Sequence, residues 1–157
     1  MYKKILVTLD GSELAECSLP HAKAIAKGCS NAELVVLRVV EPLPERVASA
    51  LMKAGEGILQ KSEQEARKTA REYVSKMENS LKKEGFHARG ITKDGVAADE
   101  IMDYSTKDNV DLIVMSTHGR SGISLFLFGS VAEKVTRHTS IPVLLISPPG
   151  CRNVPAS

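Results

Sequence analysis

An α/β fold built on a parallel sheet is predicted by three features of this sequence. Five short apolar runs alternate with segments of helical periodicity along the whole chain. Three of those runs, ILVTL, LVVLRVV and DLIVM, are near-continuous rather than alternating, as strands covered on both faces require. The 157 residues suit one domain. A chain of that length buries about 70% of its unfolded surface, so the core needs neither metal nor disulfide.

Taken in order, the predicted strands are Ile5–Leu9, Leu34–Val40, His87–Thr92, Val110–Ser116 and Ile141–Ile146, the third having the weakest pattern. Pro20 falls inside the first helical segment, where an interior proline costs about 3 kcal/mol, so the helix kinks or begins there. Glu41 to about Ile58 carries Pro42, Pro44, Gly55 and Gly57 and reads as a long irregular excursion, either a lid or a surface loop. The longest helix runs from about Leu59 to Glu84, with Leu59, Ala66, Ala70, Tyr73, Val74, Met77 and Leu81 on one face. Gly85 stops it. The domain is expected to span 1–147, followed by a Pro-rich flexible tail over 148–157.

Composition excludes several functions. The chain has 21 basic and 19 acidic side chains, a net charge of +2, which leaves no basic footprint for duplex nucleic acid. With three Tyr, three Phe and no Trp it lacks a stacking platform for single strands. Cys17, Cys29 and Cys151 form neither a disulfide framework nor a zinc pattern. His21, His87 and His138 form no metal pattern either, and no metal site is expected. No apolar run approaches the roughly 20 residues of a membrane span, and the first residues are too short for a signal-peptide core. A cytoplasmic protein is expected.

In open parallel sheets, ligands bind beyond the carboxyl ends of the strands, where the strand order reverses. Two polar clusters stand at such ends: Asp10-Gly11-Ser12 after the first strand, and Ser116 to Gly122, continuing to Phe128-Gly129-Ser130, after the fourth. Gly129-Ser130-Val131-Ala132-Glu133 opens a helix, with Ser130 read as N-cap and Glu133 completing a capping box. The N–H groups of that first turn can hold an anion without a basic side chain. Gly119 and Gly122 let backbone approach a bulky ligand. Asp10 also suits a plain turn or helix cap, His118 a turn, and Arg120 a solvated surface. The P-loop and dinucleotide fingerprints are absent: Ile91 stands where the P-loop lysine is required after Gly85 and Gly90, and Gly55 and Gly57 lead to Gln60.

MYKKILVTLDGSE, LRVVEP and VDLIVMSTHGRSG followed by FGSVAEKVTRHTSIPVLLI together resemble the universal stress protein family over nearly the whole chain. The resemblance implies an open five-stranded parallel sheet in the order 3-2-1-4-5 with helices on both faces, Rossmann-like and similar to the adenine nucleotide alpha hydrolases. It also implies ATP binding through G-x-x-G, nine residues, then G-[ST]. Gly119, Arg120 to Phe128 and Gly129-Ser130 match the second half, while Ser116 stands at the first glycine. By the same resemblance Asp10 meets ribose hydroxyls, Val39 lines the adenine pocket and Met115 lies beside ribose and base. Ser130 and Val131 offer N–H groups to phosphates, and His118, Arg120, Gly119 and Gly122 belong to the intervening loop. Thr8 and Leu9 stand where relatives commonly carry proline and threonine.

The function expected is a cytoplasmic stress-adaptation module that holds ATP, with Mg²⁺ carried by the phosphates. No catalytic residue is assigned, because no water-activating base paired with a γ-phosphate arginine is evident. Two alternatives stand: a slow ATPase or nucleotidyl or phosphoryl transferase using His118 and Arg120, and a nucleotide-free interaction module. If the fifth strand is an edge, Ile141 and Val143 to Ile146 expose an apolar border blunted only by Pro142. A homodimer through that edge would cover it, as the resemblance also implies.

Overall fold

A computed structural model describes residues 1–117 and 129–147. The elements are β1 (Lys4–Thr8), α1 (Glu13–Glu16), α2 (Leu19–Gly28), β2 (Glu33–Val40), α3 (Glu45–Ala54), α4 (Ile58–Lys83), β3 (Ala88–Asp94), α5 (Ala97–Lys107), β4 (Leu112–Ser116), α6 (Ser130–His138) and β5 (Val143–Ile146). The strands form one sheet in the order β3-β2-β1-β4-β5, and every pairing is parallel. The expected fold class is therefore the observed one, and β5 is an edge.

Alternate residues of the central strands feed two separate cores, one on each face. Ile5, Val7, Leu34, Val36 and Val114 pack with Ala22 and Ala26 of α2 and Val74 and Leu81 of α4. Leu6, Val35, Leu37 and Ile113 pack with Ile101 and Tyr104 of α5 and Val135 of α6. Burying both faces is what makes these strands read as continuous apolar runs.

The elements depart from expectation where prolines and short connections intervene. The chain resolves Pro20 by making two helices: α1 ends at Glu16, and α2 begins at Leu19, with Pro20 in its first turn, where no N–H is missed. The 41–58 excursion is not irregular, because its middle is helix α3, which has no buried residue. β3 forms despite its weak pattern, since its whole length pairs with β2 from Leu34 to Val40. β4 starts at Leu112 and β5 at Val143, each two residues later than the apolar runs suggest. Gly85, at φ +89°, ends α4 as predicted: the Phe86 N–H returns to the Leu81 carbonyl at 3.0 Å, and both side chains enter the core.

Candidate functional site

A cleft of about 800 Å³ lies at the carboxyl end of the sheet, where β1 and β4 part and their crossovers leave for opposite faces. Its volume falls within the roughly 300–1,000 Å³ typical of small-molecule sites. Every candidate residue that the structure describes lines it: Thr8, Leu9, Asp10, Val39, Met115, Ser116, Gly129, Ser130 and Val131. His118, Gly119, Arg120 and Gly122 lie outside the described residues, and with them the alternative that assigns turnover to His118 and Arg120.

The floor is apolar. Leu37, Val39, Ile101 and Met115 reach it from the core between the sheet and α5 and α6. Beside it β1 continues into the turn that carries Asp10, with the Leu9 N–H bonded to the Leu37 carbonyl at 2.9 Å. The Asp10 carboxylate accepts from the Ser12 N–H at 2.9 Å and the Ser12 hydroxyl at 2.6 Å. Ser12 in turn caps α1, accepting from the Ala15 N–H at 3.2 Å. Asp10 is thus both a turn former and a cleft residue.

The start of α6 differs from its predicted form. Gly129, not Ser130, is the N-cap, with extended backbone at φ −57° and ψ 146°. Its N–H is drawn to the Thr117 carbonyl at 2.7 Å, which fixes the entry into the helix and puts Ser130 one residue inside it. The capping box is not formed. The N-cap glycine brings no side chain to the helix start, and the Glu133 carboxylate pairs with Arg137 at 2.9 Å instead of turning back. The amino terminus of α6 therefore meets the cleft through backbone N–H groups and the Ser130 hydroxyl. The amino terminus of α5 contrasts with it, because Glu41 accepts from the Ala97 N–H at 3.1 Å.

Ser116, the departure from the glycine motif, is buried at the end of β4. Its hydroxyl lies 3.9 Å from the Cys17 sulfur, which places it toward α1 and on the face opposite Met115. Among the described residues no group of His, Cys, Asp and Glu is arranged to hold a metal ion, and no helix is long and apolar enough to cross a membrane.

Two parts of the cleft were missed by the sequence reading. Leu43 and the α4 residues Ser62, Glu65, Ala66 and Thr69 form a wall that only tertiary packing brings there. Arg38 also lines the cleft, and its signal was in plain view as a charge interrupting the otherwise apolar run of β2.

The model of the universal stress protein family matches residues 1–147. The chain belongs to that family. Universal stress protein MJ0577 of Methanocaldococcus jannaschii is 35% identical over 156 residues, covering 93% of this chain and 95% of that protein. Universal stress protein YxiE of Bacillus subtilis is 28% identical over 148 residues, covering 93% and 99%. Among solved structures, that of MJ0577 superposes with a TM-score of 0.82 at 30% identity, over 96% of this chain and 99% of that one. A universal stress protein in complex with cAMP matches with a TM-score of 0.56 at 21% identity, over 93% and 97% of the two chains. An Arabidopsis thaliana member with AMP bound matches at 0.66 and 14% identity, over 94% and 93%. These last two share the fold with this universal stress protein.

Proposed function

We propose that this universal stress protein binds ATP in the cleft between β1 and β4 and acts in the cytoplasm as a homodimeric stress-adaptation module. One observation carries the reading: a single cleft joins an apolar floor, a carboxylate turn and a helix amino terminus whose N-cap is a glycine. Adenine fits the floor at Val39 and Met115, the ribose hydroxyls fit Asp10, and the phosphates fit the N–H groups at Ser130 and Val131. The anionic end is directed to α6 because α5 already has Glu41 at its first N–H. Among the described lining residues Asp10, Glu41 and Glu65 are acidic and Arg38 is the sole cation. Polyphosphate held there needs its charge offset by a metal as well as by backbone dipoles, and Mg²⁺ carried by the phosphates supplies this. Relatives of the same fold solved with cAMP and with AMP are consistent with a nucleotide ligand, though the likeness to them carries the fold alone.

Calorimetric titration with Mg·ATP, adenosine and Mg·tripolyphosphate tests the site. ATP should bind one equivalent per chain and displace both partial ligands. Binding of none of the three, or of ATP without competition from either part, overturns the assignment. The homodimer is supported by β5, an edge strand whose Val143, Leu144 and Leu145 are only half-buried. Light scattering at micromolar concentration should give twice 17.0 kDa, and a monomer overturns that part.

A further inference from the structure

Arg38 is the only charged side chain among the buried polar residues described, at 9% exposure, in a strand that after Glu33 is otherwise made of Leu and Val. Its surroundings explain how a guanidinium is kept there. On one side it lies 5.0 Å from the centre of the Tyr73 ring, a cation–π contact with α4. On the other it meets the turn between β1 and α1. A Cβ added at Gly11 would stand 3.1 Å from Cζ, 3.1 Å from Nη1 and 3.2 Å from Nη2. Near-equal distances to three atoms of a planar group mean that the guanidinium lies flat against Gly11. Gly11 is at φ +87°, so a side chain there is disfavoured by its backbone as well as by the lack of space.

The plate thus sits between a helix and the turn that carries Asp10. Tyr73 also holds the helix that follows this turn, because its hydroxyl donates to Glu16 of α1 at 2.7 Å. Burial, followed by the bond to Glu16, raises the Tyr73 pKa, so the phenol stays protonated and remains a donor. Arg38 fixes the height of the turn, Tyr73 fixes the helix that follows it, and the Asp10 carboxylate is oriented by Ser12 inside that frame.

We infer that Arg38 is a positioning residue: by bracing Gly11 against Tyr73 it holds the Asp10 carboxylate toward the ribose hydroxyls, and so sets a preference for ribonucleotides over 2′-deoxyribonucleotides. The inference rests on the assignment of this cleft to a nucleotide. Lysine cannot replace arginine in this role, since an ammonium has no flat face to stack on both sides.

The test is the ratio of dissociation constants for ATP and 2′-deoxyATP. Wild-type protein should prefer ATP about tenfold, the worth of one hydrogen bond to a carboxylate. Arg38→Met should lower ATP affinity about tenfold and 2′-deoxyATP affinity much less, bringing the ratio near one. Arg38→Lys keeps the charge and the apolar stem, and therefore the fold, yet should lose most of the preference. Adding Asp10→Asn to Arg38→Met should cost little more, because both act at one place. A preference unchanged in Arg38→Lys, equal loss for both nucleotides, or a wild type indifferent to the 2′-hydroxyl overturns this inference while leaving the nucleotide site intact. A wild type that binds neither nucleotide overturns the site itself.

Discussion

The two ends of the sheet spend their polar groups differently. At the amino end, side chains close the structure. The Asp111 carboxylate accepts from the Lys3 and Lys4 N–H groups at 2.7 and 2.9 Å, joining the start of β1 to the start of β4. Asp108 takes the Lys4 ammonium at 3.0 Å, the Arg89 guanidinium at 2.7 Å and the Tyr104 hydroxyl at 2.8 Å, joining β1, β3 and α5. At the carboxyl end, among the described residues, side chains cap single helices, Glu41 accepting from the Ala97 N–H and Ser12 from the Ala15 N–H. The N-cap of α6 is Gly129, which brings no side chain, and Asp10, Arg38, Ser116 and Ser130 line the cleft. With the proposed site at the carboxyl end, the difference is read as stability resting on the amino end and ligand binding on the carboxyl end.

Gly129→Val gives the largest effect and tests this division at the carboxyl end. A Cβ at residue 129 stands 3.1 Å from the Thr117 carbonyl, tight enough to shift the entry into the first turn of α6. If two charge-assisted N–H bonds to phosphate are lost, at roughly 1.5 kcal/mol each, ATP affinity should fall about 100-fold. The circular dichroism spectrum should stay unchanged, because α6 keeps its packing through Ala132 and Val135. Retained affinity would remove the phosphate site from α6. An unfolded variant would show that the carboxyl end carries stability after all.

How much of this was legible in sequence follows from which interactions are local. Strands buried on both faces announce themselves as continuous runs, so β1, β2 and β4 could be read directly. Asp10 and Gly129 could be placed at one site because a parallel sheet brings all its carboxyl ends together. The start of α6 was misread by one residue. Ser-x-x-Glu is a valid capping signal, but a tertiary hydrogen bond to Thr117 selected Gly129 instead. Helix α3 was hidden by flanking prolines and glycines, although Pro44 and Gly55 turn out to be its boundaries. The α4 wall of the cleft left no trace, since Ser62 and Thr69 look like any solvated helix positions until the fold brings α4 alongside the cleft.

Asp108→Asn is the smaller and more discriminating test, at the amino end. Burial disfavours the Asp108 charge, but hydrogen bonds from Tyr104 and Lys4 and the charge of Arg89 outweigh it and hold the carboxyl below its usual range. A carboxyl whose pKa is depressed by folding adds stability above its unfolded value of about 3.9, and that stability is lost as pH falls through the folded value. Asparagine still accepts from Tyr104 but brings no charge to Lys4 and Arg89. At pH 7 the variant should be less stable by about 1 kcal/mol, lowering the melting temperature by about 3 °C. The gap between wild type and variant should close on acidification, because protonation makes the two side chains alike. Asp111, held low by the Lys3 and Lys4 N–H groups, adds acid sensitivity to both proteins equally and so cancels in the comparison. Urea titrations from pH 7 down to pH 3 measure the gap. A gap independent of pH would mean that Asp108 contributes shape rather than charge. Any loss of ATP affinity at pH 7 would mean that the two ends of the sheet are coupled.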